Sequence, residues 1–332
     1  MRCLLSRIFH NRLLRSMAVI TAMLALVFVG IFVGPSDMSM ADSFSGLIRS
    51  DDNFGTTVIW SIRLPRLILG FLVGASLGLS GVLIQLSARS PLGDPNLFGI
   101  GGGASIFIAV SIIGLVSLPS YGIFIGSIFS SILIAAFLTL LILNRDLSPI
   151  KFSIMGIAVG SLMLALGTSV VAYGQVYPAQ VIALISGSFT TSDWTTIYFV
   201  SGALLVSLVL CSASAEKLSV ITLGDDLSRS LGVDPVKLRI RLMAIAAILA
   251  GSSVYAAGLI AFVALTTPHI ARRLVGNSPS KMIFMSMLMG GMITIFSDQI
   301  GRLVFAPVEL PVGLTTTIIG APLMIYLIWR YK

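Results

Sequence analysis

Residues 95–144 read PNLFGIGGGASIFIAVSIIGLVSLPSYGIFIGSIFSSILIAAFLTLLILN, a run of 50 without a single Asp, Glu, Lys or Arg. A helix needs about 20 apolar residues to cross roughly 30 Å of hydrocarbon. In lipid a backbone must satisfy its own polar groups, so long apolar runs coil into helices. The run therefore predicts two crossings, 95–115 and 120–143, split by Ser117, Pro119, Ser120 and Gly122.

The same pattern repeats on both sides. Further charge-free runs occupy 17–34, 67–88, 152–192, 194–215, 242–271, 282–297 and 310–329. The run 152–192 holds one crossing, 152–174; its remainder, with Gln175, Pro178 and Gln180, reads as a short helix near one surface. The run 242–271 would be about 45 Å long as one helix, too long for one crossing and too short for two. Gly258 and Pro268 interrupt it, so a full crossing followed by a short, partly re-entrant one is expected.

Composition agrees. Of 332 residues, 56% are hydrophobic and 10% charged, with a mean hydropathy of +1.03. A soluble domain carries about 25% charged residues, so a cytosolic globule is excluded, and so is a disordered chain. The expected fold class is an all-α, polytopic membrane protein. Positive residues stay on the cytoplasmic side. Arg2, Arg7, Arg12 and Arg15 put residues 1–16 inside, and Arg330 and Lys332 put the C-terminus inside. The crossing number is then even, and the short segment near 262–275 brings nine obvious segments to ten. With ten, 17 of 21 Lys/Arg fall inside and only Arg49, Arg63, Arg66 and Arg302 outside, while the acids split 6 to 7. The net charge of +8 is thus a topology signal, and no nucleic-acid partner is expected. A signal peptide in 1–42 is the alternative for the first segment, although Met40–Ala41–Asp42 is a poor cleavage site. Cys3 and Cys211 form no disulfide framework.

Gly70, Gly74 and Gly78 recur every four residues, and Gly156 and Gly160 repeat the spacing. Small residues at this interval let membrane helices approach closely; a flexible gate is the other reading. The cluster Gly99, Gly101, Gly102 and Gly103 is no dinucleotide loop, because no soluble strand–helix unit surrounds it. The longest inside loop, 216–241, reads as a structured knob rather than a solvated linker. Asp225, Asp226 and Arg229 followed by Gly232 suggest a short helix with acids in its first turn and glycine at its end. Asp234–Pro235 suggests the N-cap and first residue of the next helix.

Much chemistry is missing. The sequence has no GxxxxGK[ST] or HExxH, no paired-Cys motif and no GxSxG, and its two histidines are His10 and His269. His269 after Pro268 reads as a packed or capping residue. No carboxylate sits mid-membrane, where ion-coupled carriers place one. Asp298, near a helix end, is expected to pair with Arg302 at i,i+4. Energy for transport must then come from elsewhere, and a partner ATPase docking on the knob is the economical source. An ion-coupled carrier and an intramembrane hydrolase are the rival classes.

Several motifs carry a resemblance. Arg63–Leu64–Pro65–Arg66 opens the second crossing; Ser90–Pro91–Leu92–Gly93–Asp94–Pro95 and Leu97–Phe98–Gly99–Ile100 follow. Later come Leu223–Gly224–Asp225, Ser230–Leu231–Gly232–Val233, Phe262–Val263, Pro268–His269–Ile270–Ala271–Arg272, Glu309–Leu310–Pro311–Val312–Gly313 and Ile319–Gly320–Ala321–Pro322. In order and spacing, residues 55–332 resemble the iron-siderophore and cobalamin permeases of binding-protein-dependent ABC importers. Ser90 and Gly93 stand where the family often has Asn and Ala, and Ala261 near a usual Gly.

The resemblance implies one transmembrane permease unit over 1–332, with ten crossings, in the bacterial inner (cytoplasmic) membrane. It implies a second permease copy or homologue, a dimer of cytoplasmic ABC ATPases, and a periplasmic or lipid-anchored binding protein. The chain itself would be non-catalytic, with no cofactor and no metal site. Arg63, Arg66 and Arg302 match positions that hold glutamates of the binding protein; local pairing or snorkelling is the other reading. Gly224, Asp225, Arg229, Leu231 and Gly232 match the coupling helices. The substrate, a ferric siderophore or else cobalamin or haem, would pass between two permeases. Its path would be lined by the fifth and tenth crossings and the helix near 178–186, with Thr168 at a gate.

Overall fold

The computed structural model describes residues 12–34, 40–48, 54–144, 149–174, 177–306 and 308–329. Arg2, Arg7, Arg49, Arg330 and Lys332, part of the inside–outside argument, lie outside these residues, as do Cys3, His10 and Gln175. Every element among the described residues is helical. The first helices are α1 (Arg12–Phe32), α2 (Met40–Ile48) and α3 (Phe54–Val58), then a π-helical turn at Ile59–Arg63 and α4 (Leu64–Ala88). Next come α5 (Ile100–Ile112), α6 (Ser120–Asn144), α7 (Pro149–Tyr173), α8 (Pro178–Ser186) and α9 (Trp194–Ser212). After the short α10 (Ala215–Ile221) and α11 (Asp225–Ser230) come α12 (Pro235–Ala257), α13 (Val263–Val275), α14 (Pro279–Leu303) and α15 (Val312–Trp329).

Each of the ten expected segments contains a helix. By length and composition, 6 helices suffice to cross a membrane: 54–88, 120–141, 149–173, 194–212, 235–257 and 279–303. The apolar parts of α1, α5 and α15 are shorter, and α13 is 13 residues long.

The second crossing starts earlier than expected. Helical backbone runs from Phe54 through the π-turn to Ala88, so the RLPR motif lies inside a helix rather than at its start. Leu64 N–H bonds back five residues to Ile59 O. Pro65 has no N–H to give, and in the widened turn before it Trp60 O accepts from Trp194 Nε1 at 3.1 Å.

α4 is the centre of the bundle. Leu69, Val73, Leu79 and Leu83 on it are fully buried, and α9, α12, α13 and α14 surround it. Two of the three glycines in the four-residue spacing, Gly74 and Gly78, let the backbones approach closely, as does Gly81; Gly70 meets only side chains, at 3.8 Å. A Cβ on Gly74 would strike the carbonyl of Gly290 on α14, one on Gly78 the carbonyl of Ser286, and one on Gly81 the carbonyl of Ala264 on α13. Between helices in lipid, such backbone proximity takes the place of a hydrophobic driving force.

The awkward run 242–271 resolves as expected, into α12 and a short α13 with an irregular break between them. Non-helical backbone inside a membrane protein survives only where protein satisfies it. Here Gly258, at φ 70°, turns the chain. Leu259 N–H bonds Leu184 O at 3.0 Å, Ser188 N–H bonds Ala257 O at 2.9 Å, and Asn96 Nδ2 bonds Ile260 O at 2.7 Å. The end of α8, read from sequence as a surface piece, thus closes this break.

The third crossing is likewise only partly helical. Residues 95–99 form turns before α5 starts, and Asp94 stands just ahead of the crossing. Asp94 Oδ1 accepts from the N–H groups of Asn96 at 2.8 Å and Leu97 at 3.0 Å, capping that turn. Asp94 is fully buried, and burial pushes its carboxyl up to about 6, against the pull of backbone N–H groups at Leu97, Asn96 and Leu265.

Candidate functional site

Two sites stand out, one at each end of the bundle. At the end expected to face outward, the three sequence-predicted arginines come together with two carboxylates. Arg66 presents its guanidinium fork to Asp298, Nε to Oδ2 at 2.9 Å and Nη2 to Oδ1 at 2.8 Å. Its remaining Nη1 bonds Glu309 at 2.9 and 3.2 Å. The pair with Asp298 is buried on both sides, whereas Glu309 is partly exposed. Planar bidentate pairing of this kind is what arginine offers and lysine does not.

The expected Asp298–Arg302 pair is therefore not formed. Asp298 gives both oxygens to Arg66, which reaches it from α4, and an intrahelical i,i+4 partner cannot match that geometry. Arg302, 5% exposed, is left with an Nε that has no hydrogen-bond partner. Arg63, 3% exposed, lies in the π-turn and donates from Nη1 to Ile31 O at the end of α1, 2.6 Å away. Among the described residues the cluster gathers Arg63, Arg66 and Arg302 with Asp298 and Glu309.

At the opposite end, the loop 216–241 folds into the knob. α10 and α11 meet at Gly224 (φ 110°), and Gly232 (φ 78°) ends α11; neither has a heavy atom within 4 Å of a would-be Cβ, so backbone sign alone calls for glycine. Ser228 Oγ donates to Val220 O at 3.0 Å and to Gly224 O at 2.6 Å, and Val233 N–H returns to Ser228 O at 2.9 Å. Asp234 caps α12 by accepting from Val236 and Lys237 N–H at 3.0 and 3.4 Å, with Pro235 at N1, as the sequence suggested.

Asp225 faces inward. It pairs with Arg89, just beyond α4, and accepts from Arg239 Nη2 of α12 at 2.9 and 3.1 Å. Arg229 and Leu231 face outward. Leu223, Leu227 and Leu231 are 57%, 55% and 59% exposed on the knob. Behind it, a cavity of about 520 Å³ opens between α4 and α10, lined by Gln85, Arg89, Ser90, Thr222 and Arg272.

Sequence reasoning missed Arg89, Arg239 and the two carboxylates on Arg66, which are 136, 14, 232 and 243 positions from their partners. The exposed leucines were missed as a set too; apolar residues four apart in a charged loop are the signal that could have found them. Thr168 joins neither site: its Oγ1 donates to Ala165 O at 2.9 Å on its own helix, half-exposed on α7. His269 packs as expected, with Nε2 2.9 Å from Pro91 O. Among the described residues no group of His, Cys, Asp and Glu could hold a metal ion.

Comparison with known proteins agrees with this architecture. The chain is 31% identical over 316 residues to the Fe(3+)-citrate import system permease protein YfmD of Bacillus subtilis (strain 168), covering 94% of each chain. It is 30% identical over 319 residues to the hemin transport system permease protein HmuU of Yersinia pestis, covering 93% of this chain and 95% of the relative. A solved inward-facing metal-chelate type ABC transporter superposes with a TM-score of 0.80 at 25% identity, over 95% of this chain and 98% of that one. The model of the FecCD transport family matches residues 22–330, and the chain belongs to that family.

Proposed function

We propose that this chain is the permease subunit of a binding-protein-dependent ABC importer that moves a ferric siderophore across the bacterial cytoplasmic membrane. The chain is not itself an enzyme; ATP hydrolysis lies on a separate subunit. The observation that carries the reading is the knob, a folded cytoplasmic unit with three exposed leucines on a chain without a phosphate-binding loop. Exposed apolar surface on a folded unit, rimmed by charge, is the mark of a docking site, and an ATPase dimer is the occupant. The family's other members include permeases named for ferric citrate and for hemin, which supports an iron chelate as cargo, with haem or cobalamin as the second reading.

The finer reading follows from the same features. One transmembrane unit spans 1–332, with ten crossings and both termini inside. Residues 216–241 are the coupling loop, with Gly224, Asp225, Arg229, Leu231 and Gly232 as its working residues. The bare apolar faces of α7 and α15, with Ile154, Leu162, Ile318 and Ile325 exposed, suit a second permease copy or homologue. Cargo passes between the two past the Thr168 level. A binding protein docks at the outer cluster, using Arg63, Arg66 and Arg302. Arg302 is the position whose Nε awaits an acceptor, and charge complementarity there sets register and encounter rate.

The test is transport by the reconstituted complex. Vesicles holding the chain with its ATPase should accumulate labelled ferric siderophore only with binding protein outside and ATP inside; parallel arms use ferric citrate, haem and cobalamin. Accumulation by the chain alone on an ion gradient overturns the reading.

A further inference from the structure

Both ends of α4 are held by ion pairs to other elements. At the inner end Arg89 follows Ala88 with φ 51°, a left-handed conformation uncommon for a residue other than glycine. There its guanidinium meets Asp225 of the knob, and the same carboxylate accepts from Arg239 at the start of α12. At the outer end Arg66 holds Asp298 of α14 and Glu309 of the loop before α15. The two arginines are 23 positions apart, about 35 Å along a helix, slightly more than the roughly 30 Å of the bilayer core.

The helix between them is built to stay rigid. It has no proline after its first turn, and it is buried along its length. It presses against α14 backbone to backbone at Gly74–Gly290 and Gly78–Ser286. Ser80 Oγ donates to Ala246 O at 3.0 Å and Ser87 Oγ to Arg239 O at 3.3 Å, fixing it to α12 as well. α12 continues the knob covalently; α4 meets the knob only from the other side of the sequence, with the Arg89–Asp225 pair as its charged link.

Resting on the importer reading above, we propose that α4 is a strut through which the cytoplasmic knob and the outer charge cluster sense each other, with Arg89 and Arg66 as the positioning residues at its ends. When the ATPase moves the knob, Asp225 carries Arg89 with it. A packed helix translates or tilts as one body, so the displacement arrives at Asp298 and Glu309. These are the carboxylates that occupy Arg66, so their displacement changes how that arginine is held toward the binding protein. Linkage makes the coupling mutual: docking outside must bias the knob by the same factor that nucleotide state biases docking.

The experiment measures that factor in the assembled importer in nanodiscs. Affinity for fluorescently labelled, substrate-free binding protein is determined with and without a non-hydrolysable ATP analogue. The wild-type affinities should differ about fivefold or more. Arg89→Gln should bring the ratio to within about twofold of unity while leaving the nucleotide-free affinity and ATPase assembly intact, and Arg89→Lys, which keeps the charge, should restore most of it. A full ratio in Arg89→Gln, or none in the wild type, overturns the strut. Failure of the wild-type chain to assemble with the ATPase or to bind the binding protein overturns the importer reading instead.

Discussion

Gly74 of α4 and Gly290 of α14 face each other backbone to backbone, each carbonyl standing where the other's Cβ would be. The contact is reciprocal, so neither helix can yield without the other. Gly74→Ala and Gly290→Ala should each destabilise the purified protein by about 1–3 kcal/mol, the range for overpacking a tight interior. Gly70→Ala, whose nearest neighbours are side-chain atoms at 3.8 Å, should be near neutral. Thermal midpoints in detergent separate the three; equal midpoints would remove the packing account.

Arg66 pairs with Asp298 and Glu309, and the pair with Asp298 is shielded from water on both sides. Removing one member of a buried pair leaves an uncompensated charge and costs about 3–5 kcal/mol. Asp298→Ala should therefore be among the most destabilising single changes at this end of the bundle. Glu309→Gln, at a partly exposed position, should cost about 1 kcal/mol. Chemical denaturation of the two variants side by side gives the comparison.

The leucines of the knob are exposed, so changing them should spare the fold. Leu227→Asp and Leu231→Asp should shift stability by no more than about 0.5 kcal/mol. Each should weaken ATPase docking roughly tenfold or more, as loss of an interface hot spot does. Co-purification of the ATPase subunit with each variant reads this directly; undiminished recovery would move the docking surface elsewhere.

Asp94 combines a capping role with a costly charge. Its carboxyl in the folded state titrates at about 6, above the ordinary 3.8, because of burial. The folded chain therefore binds the proton more tightly than the unfolded chain. Stability contributed by this group is present below 3.8 and lost as pH rises through about 6. Asp94→Asn keeps an acceptor for Asn96 and Leu97 and should flatten that pH dependence, while Asp94→Ala loses the cap and should cost about 1 kcal/mol. Melting curves at pH 5 and pH 7.5 distinguish the three proteins.

The sequence revealed what depends on near neighbours. Charge-free runs placed the helices, Asp234–Pro235 placed the start of α12, and Gly258 placed the break. The four-residue glycine spacing identified the face of α4 that meets α14. Pairing across the bundle was not legible. Asp298 has Arg302 one turn away, and only the folded chain shows that Arg66 takes both of its oxygens. Asp225 likewise looked like a first-turn acid for its own helix, yet it binds Arg89 and Arg239. Short-range periodicity carries no record of which buried cation a carboxylate will meet. The π-turn at Ile59–Arg63 was hidden for a related reason: the residues preceding RLPR carry no capping signal, and the helix passes through them.

The broken segment between α12 and α13 bears on how the chain is made. A 13-residue helix with Pro268 inside it and Arg272 and Arg273 in its last turn is too short and too polar to partition into lipid unaided. The groups that hydrogen-bond the break, Asn96, Leu184 and Ser188, all precede it in the sequence. During synthesis they leave the ribosome first. The nascent chain thus builds the cradle before it delivers the piece that cannot enter the bilayer without one, and vectorial translation becomes part of the folding code.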